Sequence, residues 1–237
     1  LIAVARNIKG TVKIKEGVEK IGAGCFSYCT QMEKLIIPDS VTYVGSQAFW
    51  ECSNLKDIVA GYNISEMGSN VVWGTPYEDT SANWTDGVLY VGEYAVEVND
   101  AVVSSECRIK EGTQLLASNL FAYNDKISKM ILPDSVKYIN NSAFEGCSNL
   151  KYVKIGKNLK KIGATAFAQD NLWSISIPAS IEKLDSYSLQ LKNVRFVSLG
   201  NLPENLTLTL LGSANIECVQ IPSKKYGIFQ LQNNGNI

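Results

Sequence analysis

The sequence predicts a repeat solenoid: one elongated right-handed coil of short parallel strands, mostly β with turns and short helical or 3-10 segments, interrupted by a β-hairpin. Three observations predict it. Phenylalanines recur 23 residues apart at Phe26 and Phe49, and again at Phe121, Phe144 and Phe167. Each lies in a near-copied segment, such as Gly24-Cys25-Phe26-Ser27-Tyr28-Cys29, Gln47-Ala48-Phe49-Trp50-Glu51-Cys52 and Ser142-Ala143-Phe144-Glu145-Gly146-Cys147. Between these segments runs a shared apolar pattern, Met32, Leu35, Ile37, Val41 and Val44 in one copy, Leu150, Val153, Ile155, Leu159 and Ile162 in another. A constant period in the twenties means that each repeat is one coil, which buries its apolar face only against the coils beside it.

Within a coil, Met32-x-x-Leu35-x-Ile37 ends with apolar residues two apart, the alternation of a half-buried strand. Pro38, Pro133 and Pro178 follow that strand in successive copies and stop it, because proline supplies no ladder donor. Val41 to Gly45 forms a second short extended segment with glycine at the corner. Ala48 and Phe49 then begin the turn toward the next coil, the small alanine leaving room for the ring to stack under its neighbour. At a strand spacing of about 4.8 Å, roughly nine or ten coils form a rod on the order of 45 Å long.

A single domain is expected over 1–237, in four parts: a first repeat block 1–60, an irregular insertion 61–104, a second block 105–190, and degenerate repeats with a C-terminal cap over 191–237. Leu1-Ile2-Ala3-Val4 reads as a strand, and Thr11 to Gly22 is already a repeat. With no initiator Met and no basic-then-apolar leader, the chain reads as a fragment. In the insertion, two alternating runs, Val88 to Val91 and Tyr94 to Val98, flank Gly92-Glu93 and predict a hairpin. It is either a projecting binding element or, as favoured here, a wedge that sets the bend between the two blocks. Arg108-Ile109-Lys110-Glu111-Gly112 then restarts the coils in register with Lys13-Ile14-Lys15-Glu16-Gly17. Val194, Val197 and Leu199 keep the strand after the Ala-Phe turn is lost. Ile216 to Pro222 reads as a last strand, followed by Lys224-Lys225-Tyr226-Gly227 in the cap that a terminal coil needs.

The pattern Ala-Phe-x-x-Cys-x-x-Leu-x-x-Ile-x-Ile-Pro-x-Ser-Val-x-x-Ile-Gly resembles the BspA-like leucine-rich repeat, and residues 143–163 match it nearly throughout. The resemblance covers roughly 9–60 and 105–190, with weaker copies to about 222. It implies a leucine-rich repeat fold and a bacterial or protozoan surface or secreted protein, often tied to adhesion, with no enzymatic activity characteristic of the repeat. An extracellular or cell-surface location follows from the resemblance alone. Similar proteins also carry an Asp-Gly-Val-Leu-Tyr hairpin between repeat blocks, as at Asp86 to Tyr90.

Composition narrows the function further. The 22 basic and 23 acidic residues leave a net charge of −1, so no global field draws the chain to nucleic acid. No apolar run approaches the length of about 18 residues that a membrane span requires. The chain has no histidine, which removes the Ser-His-carboxylate system and His-containing zinc sites. It has no phosphate-binding glycine loop and no Cys-x-x-Cys pair, so no cofactor, metal or catalytic residue is assigned. A glycan-active enzyme, the least favoured reading, needs two carboxylates facing one groove about 5–10 Å apart, whereas Asp39 and Asp134 fall in turns. Six cysteines invite a disulfide reading. Yet Cys29, Cys52 and Cys147 share one inward repeat slot with Asn124 and Asp170, and Cys25 takes the slot of Ala48 and Ala143. Reduced thiols acting as small apolar side chains are expected, with Cys29 and Cys52 the one pair close enough to bond.

Binding is the better-supported expectation. The in-between positions of each strand face outward and stack into a ladder: Lys34 and Ile36, Asp57 and Val59, Lys129 and Ile131, Tyr152 and Lys154, Ser174 and Ser176, Phe196 and Ser198. Strand faces of this kind are the usual partner surfaces of solenoids. The candidate ligand-binding residues are therefore Lys34, Ile36, Lys129, Ile131, Tyr152, Lys154 and Phe196. Tyr152, Phe196, Ile36 and Ile131 are the apolar anchors, although scattered exposed apolar residues are ordinary. Lys151, Lys154, Lys157, Lys160 and Lys161 form a basic cluster suited to an acidic glycan or protein, or simply a solvated face. A protein or glycan ligand, bound by a monomer, is the leading function; the alternative is a passive stalk presenting another domain. The sequons at Asn63, Asn83, Asn140 and Asn205 matter only in a glycosylating host.

Overall fold

The computed structural model describes residues 6–168, 170–191, 193–200, 208–211, 216–220 and 229–232. The expected strand at Leu1 to Val4, Pro222 and Lys224 to Gly227 of the cap, and the sequon at Asn205 lie outside these residues. The architecture is a β-solenoid of about eight turns with almost no helix.

Two parallel ladders run along it. The first contains Lys9–Lys13, Gln31–Ile36 and Asp57–Val59. It resumes as Glu106–Arg108, Lys129–Ile131, Tyr152–Lys154, Ser174–Ile177, Phe196–Leu199 and Cys218–Gln220. The second stacks the two-residue corner strands: Lys20–Ile21, Tyr43–Val44 and Glu66–Met67 in the first block, whose stack thus continues past residue 60 to about residue 77, and Leu115–Leu116, Tyr138–Ile139, Lys161–Ile162 and Lys183–Leu184 in the other. Leu208–Leu211 and Phe229–Gln232 form a further parallel pair. The insertion interrupts the first ladder between Asp57–Val59 and Glu106–Arg108.

Side chains repeat as the period demands. The Phe121, Phe144 and Phe167 rings stack at centroid distances of 5.3 and 5.1 Å, nearly parallel, and Phe26 lies 5.8 Å from Phe49. All six cysteines are free thiols, five of them buried. The shared slot has a specific use: Cys52 Sγ donates to the Phe26 carbonyl and Cys147 Sγ to the Phe121 carbonyl, each at 3.0 Å. Each thiol thus ties its coil to the preceding phenylalanine turn. After the strands, the Pro38, Pro133 and Pro178 carbonyls accept the amides of Val41, Val136 and Ile181, closing the turn that each proline opens. At the corner, a Cβ on Gly163 would stand 2.6 Å from the Asn141 backbone nitrogen. Only glycine permits that approach of one coil to the next.

The insertion holds two tight turns where the sequence signals one. Trp84–Thr85 pairs antiparallel with Val88–Val91, which pairs antiparallel with Tyr94–Val98. The first turn is Asp86-Gly87, with φ of 51° and 81°, the geometry of a two-residue hairpin; its strand is too short to show alternation. Tyr94–Val98 then joins Leu115–Leu116 in parallel, so the hairpin is part of the second block's sheet and does not project. All of Val88–Val91 is buried because its alternate side chains serve two cores. Leu89 and Val91 pack into the first block's core, Val88 and Tyr90 into the second's. Two buried hydroxyls pin the same wedge. Tyr94 Oη donates to the Gly61 carbonyl at 2.6 Å in the first block. Tyr90 Oη accepts the Lys110 amide at 3.2 Å in the second.

Candidate ligand-binding face

Strand pairing turns the outward positions into two columns. In the second block one column reads Glu106, Lys129, Tyr152, Ser174, Phe196 and Cys218. Beside it run Arg108, Ile131 and Lys154, then Ser176, Ser198 and Gln220. In the first block, Lys34 stands beside Asp57 and Ile36 beside Val59.

The seven candidates do not form one site. Lys34 and Ile36 belong to the three-stranded sheet of the first block, apart from the rest. Lys34 is half-buried and its ammonium lies 2.5 Å from the Asp57 carboxylate. Lys129 is half-buried and paired with Glu106 at 3.2 Å. Ile36 and Ile131 are half-buried as well, and Ile131 sits between Arg108 and Lys154 in register. They are poorer anchors than a free outward position suggests. Tyr152, Lys154 and Phe196 do converge. They line a shallow groove of about 430 Å³ together with Ser174, Ser176, Ser198, Cys218 and Gln220.

The groove owes its shape to residue size. Ser174 lies between Tyr152 and Phe196 in register, and its short side chain leaves the two rings exposed on either side, at 44% and 49%. No carboxylate lines it; its one charged residue is Lys154, which makes no ion pair among the described residues. In the wider basic cluster, Lys157, Lys160 and Lys161 are held by Asp134, Glu182, and Glu66 with Asp185. That cluster is therefore mostly a neutralised face, with Lys154 and Lys151 outside the ion pairs of the described residues. The sequence reading missed Trp173, 60% exposed beside Ser174, because only positions inside the strand were counted. Its signal was a large aromatic where neighbouring coils carry Ser128, Lys151 and Arg195.

A second, polar hollow of about 320 Å³ lies where the two blocks meet, lined by Tyr43, Glu66, Asn140, Asn141, Lys161 and Asp185. Lys161, with its side chain only 15% exposed, bridges Glu66 at 2.8 Å and Asp185 at 3.2 Å. Burial alone would lower its ammonium, yet hydrogen bonds to both carboxylates hold it above the usual lysine range. Asn140 Oδ1 accepts the Met67 amide at 2.6 Å, and its Nδ2 donates to the Ser65 carbonyl at 3.2 Å. These partners are spent on joining the blocks. Two further carboxyls are pushed up chiefly by burial, Glu97 to about 7 with Glu78 adding to it, and Asp170 to about 8. Neither lines the groove. Among the described residues no group of three or more Cys, Asp or Glu side chains is placed to hold a metal, and no helix is long and apolar enough to cross a membrane.

No curated protein matches the chain. Among solved structures, the pneumococcal vaccine antigen PcpA is similar at 20% identity and a TM-score of 0.53, over 84% of this chain and 60% of that one. A leucine rich cell surface protein from Faecalibacterium prausnitzii aligns at 20% identity and a TM-score of 0.48, over 97% of this chain and 60% of its own. A leucine-rich repeat protein from Bacteroides capillosus aligns at 24% identity and a TM-score of 0.37, over 49% of this chain and 89% of its own. The chain thus spans 60% of the length of the first two proteins. The BspA type leucine rich repeat region matches in six copies over residues 6–100 and 114–233. With most of its length matched and a solenoid whose coils follow the same repeat, the chain belongs to the BspA type leucine-rich repeat family.

Proposed function

We propose that the protein is a non-catalytic binding module, displayed on a cell surface or secreted, which engages a macromolecule as an adhesin does. It works as a monomer through the outward face of the second block. Family membership supports the surface role. The observation that carries the binding reading is the convergence of Tyr152, Lys154 and Phe196 around a serine floor in one groove. Two exposed rings there are held by a rigid ladder, so a ligand meets preordered apolar area with little side-chain entropy to lose. A stalk has no need of clustered aromatics, which are unfavourable in water unless covered at times.

The test is binding of the purified chain to cells, matrix proteins and immobilised polysaccharides. In the Y152A/F196A double variant and in K154E, affinity is expected to fall at least tenfold, the scale of lost anchor residues at an interface. The thermal transition should stay in place, because all three side chains point away from the core. Undiminished binding by both variants overturns the assignment to this face.

A further inference from the structure

We propose that the groove between Tyr152 and Phe196 is a sugar-binding slot, and that its ligand is an acidic polysaccharide carrying carboxylate-bearing rings. This rests on the binding reading above and deepens it. Tyr152 and Phe196 are two strands apart in register, with Ser174 between them. Two strand spacings amount to about 9.5 Å. A ring lying between two side chains needs about 7–8 Å, two contacts of about 3.5–4.0 Å. The slot thus accepts one ring of ligand thickness, where a large side chain in place of Ser174 would fill it.

The rest of the lining gives the chemistry of the occupant. Ring faces carry negative potential that favours the slightly positive C–H faces of a pyranose. Ser174 and Ser176 offer hydroxyls that donate and accept, and Gln220, whose Oε1 accepts the Ser198 hydroxyl at 3.4 Å, keeps its amide N–H donors for a ligand. A sugar's hydroxyls match that mixture, whereas a purely apolar side chain would leave them unpartnered. Charge sets the sign: Lys154 is the only charged residue in the lining, and Asp134, whose carboxylate feels its charge, is itself paired with Lys157 at 3.0 Å. A ring carboxylate placed on its ammonium forms a charge-assisted hydrogen bond. The slot is open along the strands, from Ser174 toward Ser176, so a chain can cross it while one ring sits between the aromatics.

Cys218 supplies an independent readout. It is the one exposed cysteine and lines the groove, next to Phe196 in register. The chain is titrated with uronic-acid oligosaccharides cut from hyaluronan, alginate and galacturonan, with neutral dextran and poly-glutamate as comparators. Affinity is read by calorimetry, and the rate of Cys218 alkylation by N-ethylmaleimide is followed in parallel. At least one uronic fragment is expected to bind at least tenfold tighter than dextran and to slow alkylation. Binding should fall tenfold in Y152A and in F196A, while K154Q should abolish the preference for the acid over its methyl ester. Failure of all uronic fragments, equal binding of dextran, or unchanged uronic binding in Y152A and F196A overturns the inference. Poly-glutamate binding that depends on Tyr152 and Lys154 would sink the sugar assignment and leave the binding face standing. Loss of that face itself would show separately, as cell binding indifferent to Y152A/F196A and K154E.

Discussion

At the slot that Cys29 and Cys52 fill in the first block, and Asn124 and Cys147 in the second, the next coil carries Asp170, fully buried. Its Oδ1 accepts the Cys147 amide at 3.0 Å, while Oδ2 has no partner. Burial raises this carboxyl from 3.8 to about 8; the Cys147 amide opposes the shift and Glu145 adds to it. Between those two values the folded chain keeps a proton that the unfolded chain releases, so stability falls as pH rises through the window. It is fully present below the unfolded value, and the slope ends once the folded carboxyl also ionises. D170N, which installs the Asn124 solution, is expected to be more stable than the parent at pH 8 by about 1–3 kcal/mol. Near pH 4 the two chains should match. Urea midpoints at the two pH values check this; a D170N advantage equal at both would refute the protonated carboxyl. The repeat made the burial of this slot legible. Its ionisation was not, because that depends on which atoms pack around one oxygen. The same limit hid the backbone of the phenylalanine turns. Gln47 and Glu51, Asn119 and Tyr123 take positive φ two residues before and after their rings, and only Gly24 and Gly146 at the same positions of other coils announce that left-handed backbone plainly.

At the scale of the element, the phenylalanine column and the wedge are what each coil contributes to its neighbours. Phe144 stacks on rings from both sides, whereas Phe26 meets one ring, tilted by 46°. F144A is therefore expected to cost about 3–5 kcal/mol and F26A to lie at or below the lower end of that range. Chemical denaturation of the two variants measures it, and an F26A cost exceeding that of F144A would show that the column is not the load the coils share. The wedge was legible as a hairpin of two alternating runs, although the structure buries Val88 to Val91 on both faces. Which core each face serves was not legible. Period-two alternation states that two faces exist, and packing alone names their partners.

Across the whole molecule, the two blocks meet through a few polar contacts as well as through the wedge. Asn140 is buried and serves the first block with both ends of its carboxamide, and Ser118 adds its amide and hydroxyl to the Met67 carbonyl at 2.9 and 3.0 Å. N140A strands the Met67 amide and the Ser65 carbonyl, at about 1–3 kcal/mol. Because coils otherwise contact only their neighbours, weakening this junction is expected to split one unfolding transition into two. Calorimetry checks it: a single transition, shifted but undivided, would mean that the wedge alone couples the blocks.

The sequence by itself determined the coil, its inward column of phenylalanines and thiols, and the outward strand positions, because contacts between adjacent coils recur at the repeat interval and leave a periodic trace. Only the tertiary structure decided that Tyr152, Lys154 and Phe196 share a groove while Lys34 and Ile36 stand apart, and that Lys161 and Asn140 are spent on the junction. Those junction contacts join residues 73 to 95 positions apart. They occur once in the chain, so no repetition could reveal them.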